Sequence, residues 1–446
     1  MKQHWIIVPF LLVSICAADF GQAAPKGGGW KQKQFIITFW FPPPATDEAL
    51  ARVAAEGFNL TWAMTEKDLD VAARNHLRVL LVSDLLKPAV LDDPVKRQQL
   101  DALIDRVKNH PAMETYFLDD EPGAAAFPGL GKLVAYLRDL DPAHLAYINL
   151  FPTYANEQQL GVSANAAERA RVGYPMNFAG VGTDDKTVLR YREHLKRLVE
   201  TVKPDLLSYD HYHFLVPDKN GRPVDGNQYF LNLALIRMAA LEAKKPFVNT
   251  IQAGRHLDSW REPTASEMRW LIFTTLAYGG RGINYFTYWG PRGALYVDGK
   301  PSSLVKPVAA LNAEIVKIGP ALLKLDSFAV YQTAPLPYGA EAFPASAPVQ
   351  IRNDGEFVLG LFGQSGRATA FMIVNRDYAE EATAEVEVRI PGRKLQELDR
   401  TTGQWSDGTV LGKNRTTRID LAPGDGRLFR IAGVAPRLAS PKNSSP

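Results

Sequence analysis

The chain has 446 residues, 46% of them apolar and 22% charged, so a single small domain is excluded and one large unit with an accessory unit fits the length. The 51 basic and 48 acidic residues are interspersed, giving a net charge of +3 without a polybasic run, which argues against a nucleic-acid partner. Cys16 is the only cysteine, so no disulfide can form within the chain.

The first 23 residues read as an export signal: Lys2 gives the positive start, Trp5 to Ala17 an apolar stretch too short to span a bilayer, and Gly21-Gln22-Ala23 a small-x-small cleavage site. Ile15 stands where a lipoprotein signal needs a small residue before Cys16. The expected destination is a bacterial periplasm or the exterior, with no membrane span in the mature chain.

From residue 34 to 327, short β-type runs alternate with helical patterns, the signature of parallel strands joined by helices. Eight strands are expected, beginning at Phe35, Asn59, Leu77, Thr115, Leu145, Leu206, Phe247 and Ile283. Stretches such as DEALARVAAEGF, TVLRYREHLKRLVETV and ASEMRWLIFTTLAYGG lie between them, several introduced by Thr or Asp at a capping position. The fold class expected is therefore α/β: a (β/α)8 TIM barrel followed by a smaller antiparallel β-sandwich. A doubly wound sheet is disfavoured because no G-x-G-x-x-G follows the first strand. The sandwich is expected over 328–432, from runs such as FVLGLFG, ATAFMIVNR, ATAEVEVRI, TTRIDLA and GRLFRI separated by turn residues, and a disordered tail over 433–446.

In such a barrel, chemistry belongs to the C-terminal strand ends. In chain order these offer Trp40, Trp62, Ser83 and Asp84, then Asp119-Asp120-Glu121, Asn149 and Tyr154, then Tyr209, Asp210, His211, Tyr212 and His213, then Asn249 and Gln252, and lastly Tyr285, Tyr288 and Trp289. Aromatic rings beside carboxylates and amides suit a sugar, which presents C–H faces and hydroxyls. Trp40, Trp62 and Trp289 are expected to touch it, whereas Phe39, Phe117 and Phe286 are assigned to the barrel core. Three consecutive carboxyls repel, so one should hold its proton as a general acid does. Strand alternation puts Asp119 and Glu121 on one side and Asp120 on the other. His211 and His213 form an H-x-H that some metal hydrolases use; with no second His-bearing strand end, hydrogen bonding to sugar or backbone is preferred and no metal or cofactor is expected. No G-x-S-x-G, H-E-x-x-H or P-loop is present.

YFLDDEP, INLFPTYA, LLSYDHY and EMRWLIFTTLAYGGRGINYFTYW resemble bacterial glycoside hydrolases with a (β/α)8 catalytic domain, nearest to the family 42 β-galactosidase-like proteins of clan A. The resemblance implies an oligosaccharide or polysaccharide substrate, Glu121 as acid/base, and Asp120 in place of the Asn that holds the sugar's 2-hydroxyl. Asp119, Asn149, Tyr209, His211, Tyr212, Gln252 and Tyr285 join the three Trp as expected substrate contacts. Two departures matter. Clan A takes its nucleophile from a Glu ending the seventh strand, where this chain has Gln252, with Glu262 ten residues on. The Asp-Glu pair also resembles family 123 and family 20 hexosaminidases, whose substrate's 2-acetamido group is the nucleophile. Asp210 is the other carboxylate expected in the pocket, as water activator or nucleophile. A non-catalytic glycan-binding protein on a degenerate barrel is the reading from another class; a second carboxyl within about 10 Å of Glu121 discriminates against it.

Overall fold

The computed structural model describes residues 29–165, 177–222, 224–364, 367–392 and 394–433. The expected export segment with Cys16, and nearly all of the expected tail, lie outside the described residues. Eight strand–helix units follow one another: β1 (Ile36–Phe39), α1 (Asp47–Ala55), β2 (Leu60–Ala63), α2 (Glu66–Arg74), β3 (Arg78–Leu81), α3 (Pro94–Val107), β4 (Met113–Asp120) and α4 (Phe127–Leu140). Then come β5 (Leu145–Leu150), α5 (Lys186–Thr201), β6 (Leu207–His211), α6 (Tyr229–Ala243), β7 (Phe247–Gln252), α7 (Ala265–Ala277), β8 (Gly282–Phe286) and α8 (Val305–Leu322).

Caps start the helices where the sequence puts Thr and Asp. Thr46 accepts from Ala49 N, Asp93 from Val95 N, Asp185 from Thr187 N, and Thr264 shares a reciprocal capping box with Glu267. The strands pair in parallel in the order β1-β8-β7-β6-β5-β4-β3-β2. The seam between β1 and β2 is closed chiefly by Asn59, whose N donates to Ile37 O (3.0 Å), Oδ1 accepts from Ile37 N (2.9 Å) and Nδ2 donates to Phe35 O (2.7 Å). Thr38 Oγ1 donates to Leu60 O (2.9 Å) and Trp62 Nε1 to Phe39 O across the same seam. The sheet is thus a closed (β/α)8 barrel. Among the described residues no helix is long and apolar enough to cross a membrane.

The second unit pairs its strands antiparallel: β9 (Asp326–Gln332), β10 (Val349–Ile351), β11 (Phe357–Gln364), β12 (Arg367–Asn375), β13 (Ala382–Val388), β14 (Lys394–Glu397), β15 (Thr409–Val410), β16 (Thr416–Leu421) and β17 (Gly426–Ala432), with one isolated parallel bridge between Gln332 and Ala342. Six form one sheet in the order β9-β11-β12-β17-β14-β15, and β10-β13-β16 form another. Alternation along β11 and β12 divides their side chains: Phe357, Leu359, Leu361, Phe371 and Ile373 face the small sheet, while Val358, Phe362, Met372 and Val374 join the barrel's core. This double contact explains why α7 carries no polar face in the sequence, because the sheet covers the side that would otherwise meet water. The approach is tight: a Cβ on Gly360 would sit 2.1 Å from Ala277 O. Trp270 Nε1 donates to Arg376 O (2.8 Å) across the same contact.

Candidate active site

The C-terminal strand ends surround a cavity of about 570 Å³. A larger one, about 660 Å³, opens at the opposite end of the barrel, but Lys245 there is paired with Asp205 (2.8 Å) and Arg281 donates to Leu323 O (2.7 Å). Unlike it, the strand-end cavity is lined by three carboxyls and, among the described residues, by no Lys or Arg.

Strand β4 does not alternate as the sequence suggests. A register shift between Phe117 and Asp119 inserts a bulge, and Glu121 has a left-handed backbone (φ +50°), with its N–H donating to Asn149 O (2.8 Å). Asp120 and Glu121 therefore both face the cavity, while Asp119 turns away to Lys87 (3.8 Å). A non-glycine residue in this conformation is strained, and such strain concentrates where a side chain must be aimed. Asp120 Oδ1 accepts from Asn149 Nδ2 (3.1 Å), and Asn149 Oδ1 accepts from Ser208 Oγ (3.0 Å), so Asn149 positions Asp120 from inside the barrel.

On β6 the inward residues are Ser208 and Asp210. The Asp210 carboxylate accepts from the Tyr212 hydroxyl (3.0 Å). Its other oxygen is buried without a hydrogen-bond partner among the described residues, and the Glu121 carboxyl lies close enough for the two groups to perturb each other. Burial, reinforced by the Asp120 charge, pushes the Glu121 carboxyl up to about 7. Burial and the charges of Glu121 and Asp120 raise Asp210 as well, and burial raises Asp120.

His211 lines the cavity beside this pair. Its tautomer follows from its neighbours. Tyr191 donates to Phe151 O (2.8 Å) and therefore accepts from Asn232 Nδ2 (3.1 Å), which turns Asn232 Oδ1 toward Thr153 N (2.9 Å) and His211 Nδ1 (2.9 Å). Nδ1 carries the hydrogen and Nε2 is a free acceptor. Burial holds the ring neutral, with its pKa down at about 3. His213 is also pushed down to about 3 by burial; it stacks on Trp270 (5.0 Å) and lies 3.7 Å from Asp225. Among the described residues no group of three His, Cys, Asp or Glu is placed to hold a metal ion.

One wall is aromatic. Tyr212 packs on Trp260 (4.2 Å) and on Phe286 (5.1 Å), and Phe286 meets His256 (4.9 Å). Phe286 was expected in the core but lines the cavity, because Gly282, Asn284 and Phe286 are the inward positions of β8. Trp260 and His256 lie in AGRHLDSWREP, directly after β7, and the strand-end rule extended by one loop would have found them. Tyr154, at the end of β5, is exposed on the opposite side with its ring 5.1 Å from His211.

Several expected contacts lie elsewhere. Trp40 and Trp62 pack on each other (5.0 Å) and on Phe117 in the barrel interior, forming a floor rather than cavity lining. Tyr209 faces outward, fully buried near Tyr229 and Tyr191 of the helix layer. Tyr285 also faces outward and donates to Asn312 Oδ1 (2.7 Å) of α8. Asn249 donates to Thr275 Oγ1 (2.8 Å) of α7, Tyr288 donates to Glu56 (2.8 Å), and Trp289 stacks on Tyr296 (6.0 Å). Ser83 accepts from Leu85 N (3.2 Å), and neither it nor Asp84 reaches the cavity. Gln252, where clan A would place a nucleophile, accepts from Phe214 N (2.9 Å) and donates to Phe214 O (3.0 Å) and Arg261 O (2.8 Å), pinning two loops. Glu262 is on the surface, bonded to Ser303 (2.9 Å).

No family model and no curated protein matches this chain. Among solved structures it is similar to a family 39 glycoside hydrolase from Bacteroides cellulosilyticus WH2, at 12% identity over 89% of this chain and 80% of that one, with a TM-score of 0.47. It is also similar to a β-galactosidase from Bacillus circulans sp. alkalophilus, at 10% identity over 90% of this chain and 99% of the other, with a TM-score of 0.48.

Proposed function

We propose that this protein is an exported glycoside hydrolase that cleaves an oligosaccharide or polysaccharide with Glu121 as general acid/base and Asp210 as the opposing carboxylate. The observation that carries the proposal is the pair of carboxyls, half-buried Glu121 and buried Asp210, each raised by burial and by the other's charge or by Asp120, at the C-terminal mouth of the barrel beside an aromatic wall. Glycoside cleavage needs one carboxylic acid and one carboxylate facing each other, and such a pair with Glu121 pushed up to about 7 can supply both. The Tyr212 hydroxyl donates to Asp210 and favours its ionised form against the burial that raises it.

In this reading Glu121 protonates the glycosidic oxygen as the bond to the anomeric carbon breaks. Asp210 attacks that carbon, and Glu121 then takes a proton from the water that releases the sugar. Carboxyls that perturb each other this strongly fit the about 5 Å spacing of retaining enzymes better than the about 6.5–9.5 Å of inverting ones, so retention with Asp210 as nucleophile is favoured. The substrate enters between the two carboxyls. Asp120, held by Asn149, is positioned to hold the sugar's 2-hydroxyl. Because Asp210 supplies a second carboxyl, the substrate-assisted route of hexosaminidases is not needed, and a wall without a second carboxyl, as a purely glycan-binding protein could have, is not what surrounds Glu121.

The test is a screen of the purified protein on a wide glycan panel, with product stereochemistry read by NMR. Cleavage with retention, lost in Glu121→Gln and Asp210→Asn, is the expected result. Binding without cleavage of any glycan would put the glycan-binding reading ahead.

A further inference from the structure

We infer that the sugar bound in this cavity is uncharged, and that glycuronides and sulfated glycans are excluded from it. The inference rests on the glycosidase reading and adds the substrate class. Three carboxyls meet at the cavity: Asp120 and the Glu121–Asp210 pair. Among the described residues that line it, none is Lys or Arg. Of the cations on neighbouring segments, Lys87 is paired with Asp119 (3.8 Å), Arg261 with Glu267 (2.7 Å) and Asp225 (3.3 Å), and Arg292 with Asp258 (2.8 Å), while Arg255, next to His256, is exposed and does not line the cavity.

The histidines supply no positive charge either. His211 is neutral and fixed with Nε2 as an acceptor, and burial lowers His256. Of the two tyrosine hydroxyls that line the cavity, Tyr212 is committed to Asp210, which leaves Tyr154 as a neutral donor. The polar part of the wall is therefore dominated by acceptors, which match the hydroxyl donors of a neutral sugar. A sugar carboxylate or sulfate would bring a further negative charge toward two existing ones with no cation to offset it. Like-charge placement in a partly desolvated site costs enough to discriminate by about a hundredfold or more.

The experiment uses a nitrophenyl glycoside panel in both anomers, covering neutral hexosides, deoxyhexosides, pentosides and N-acetylhexosaminides, with the matching hexuronides and 6-sulfated hexosides. Each is assayed with the wild type and with Leu257→Arg, which adds a cation at an exposed lining position outside the proposed machinery. Neutral members should exceed their acidic twins in kcat/KM by at least about a hundredfold, and Leu257→Arg should narrow that gap by about tenfold, chiefly through KM for the acidic twin. Gln228→Lys serves as the second variant should Leu257→Arg fail to fold. An acidic twin cleaved within about tenfold of its neutral partner, or a gap unmoved by the added cation, overturns the inference while leaving the glycosidase reading intact. Cleavage of no member overturns both.

Discussion

Replacing Glu121 with Gln tests the reasoning at two levels, because the same burial that suits the carboxyl for catalysis makes it costly for the fold. Gln keeps the shape of the protonated acid but has no proton to deliver, so turnover should fall by at least about a hundredfold. In the wild type, activity needs the protonated acid and should decline as pH rises through about 7. The effect on stability has the opposite sign. A carboxyl raised in the folded state contributes stability that is present below its ordinary value of 4.5 and lost as pH rises through about 7. That displacement corresponds to about 3 kcal/mol, and discounting for solvent screening of a half-buried group leaves about 1–2 kcal/mol. Gln escapes this loss, so Glu121→Gln should match the wild type in thermal unfolding near pH 4 and exceed it by about 2–4 °C at pH 8. Circular dichroism melts at the two pH values, with a pH–rate profile of the wild type, measure both effects. A variant less stable than the wild type at pH 8, or a wild-type rate flat from pH 6 to pH 9, would refute the account of Glu121.

Asp210→Asn should lower turnover by at least about a thousandfold, and the first product formed by the wild type should keep the anomeric configuration of its substrate, as read by proton NMR; inversion would return Asp210 to the role of water activator. Asn59→Ala removes two hydrogen bonds at the barrel seam and should lower unfolding free energy by about 2–4 kcal/mol in urea titrations; a loss under about 0.5 kcal/mol would mean the seam closes without it. Gln252→Glu, nearly isosteric, would set a carboxylate against the carbonyls of Phe214 and Arg261, so it should destabilise by about 2–4 kcal/mol without raising turnover; a stable and more active variant would make this position catalytic. N-terminal sequencing of exported material should begin at Ala24, and an intact Met1 would exclude processing.

The barrel was legible because each of its eight units repeats one local pattern, an apolar run followed by a capped helix. The caps at Thr46, Asp93, Asp185 and Thr264 act within a few residues, which is the range over which a sequence is informative by itself. In the second unit the long alternating strands β11, β12, β13, β16 and β17 stood out, whereas short ones such as β10 and β15 did not. Their three and two residues are too few to show a period.

At the site, strand ends could be located, but the direction of each side chain could not. One residue's difference in register exchanges the cavity for the helix layer. Asp210 and Tyr209 are neighbours, yet one meets Glu121 and the other packs among tyrosines; Phe286 and Tyr285 divide in the same way. Regular alternation would have put Asp119 in the cavity with Glu121, and the bulge at Leu118 with the left-handed Glu121 brought Asp120 in instead. Gln252 shows a second limit. An amide at the end of β7 reads as a lost nucleophile only while its partners are unknown; its bonds to backbone groups of Phe214, Gly254 and Arg261 make it a support for the loop that carries Trp260. If, as proposed, the chemistry lies on β4 and β6 with the aromatic wall anchored through β7, the missing seventh-strand Glu is a different division of labour among the same strand ends. Loss of activity in Glu121→Gln and Asp210→Asn is what separates this from a dead barrel.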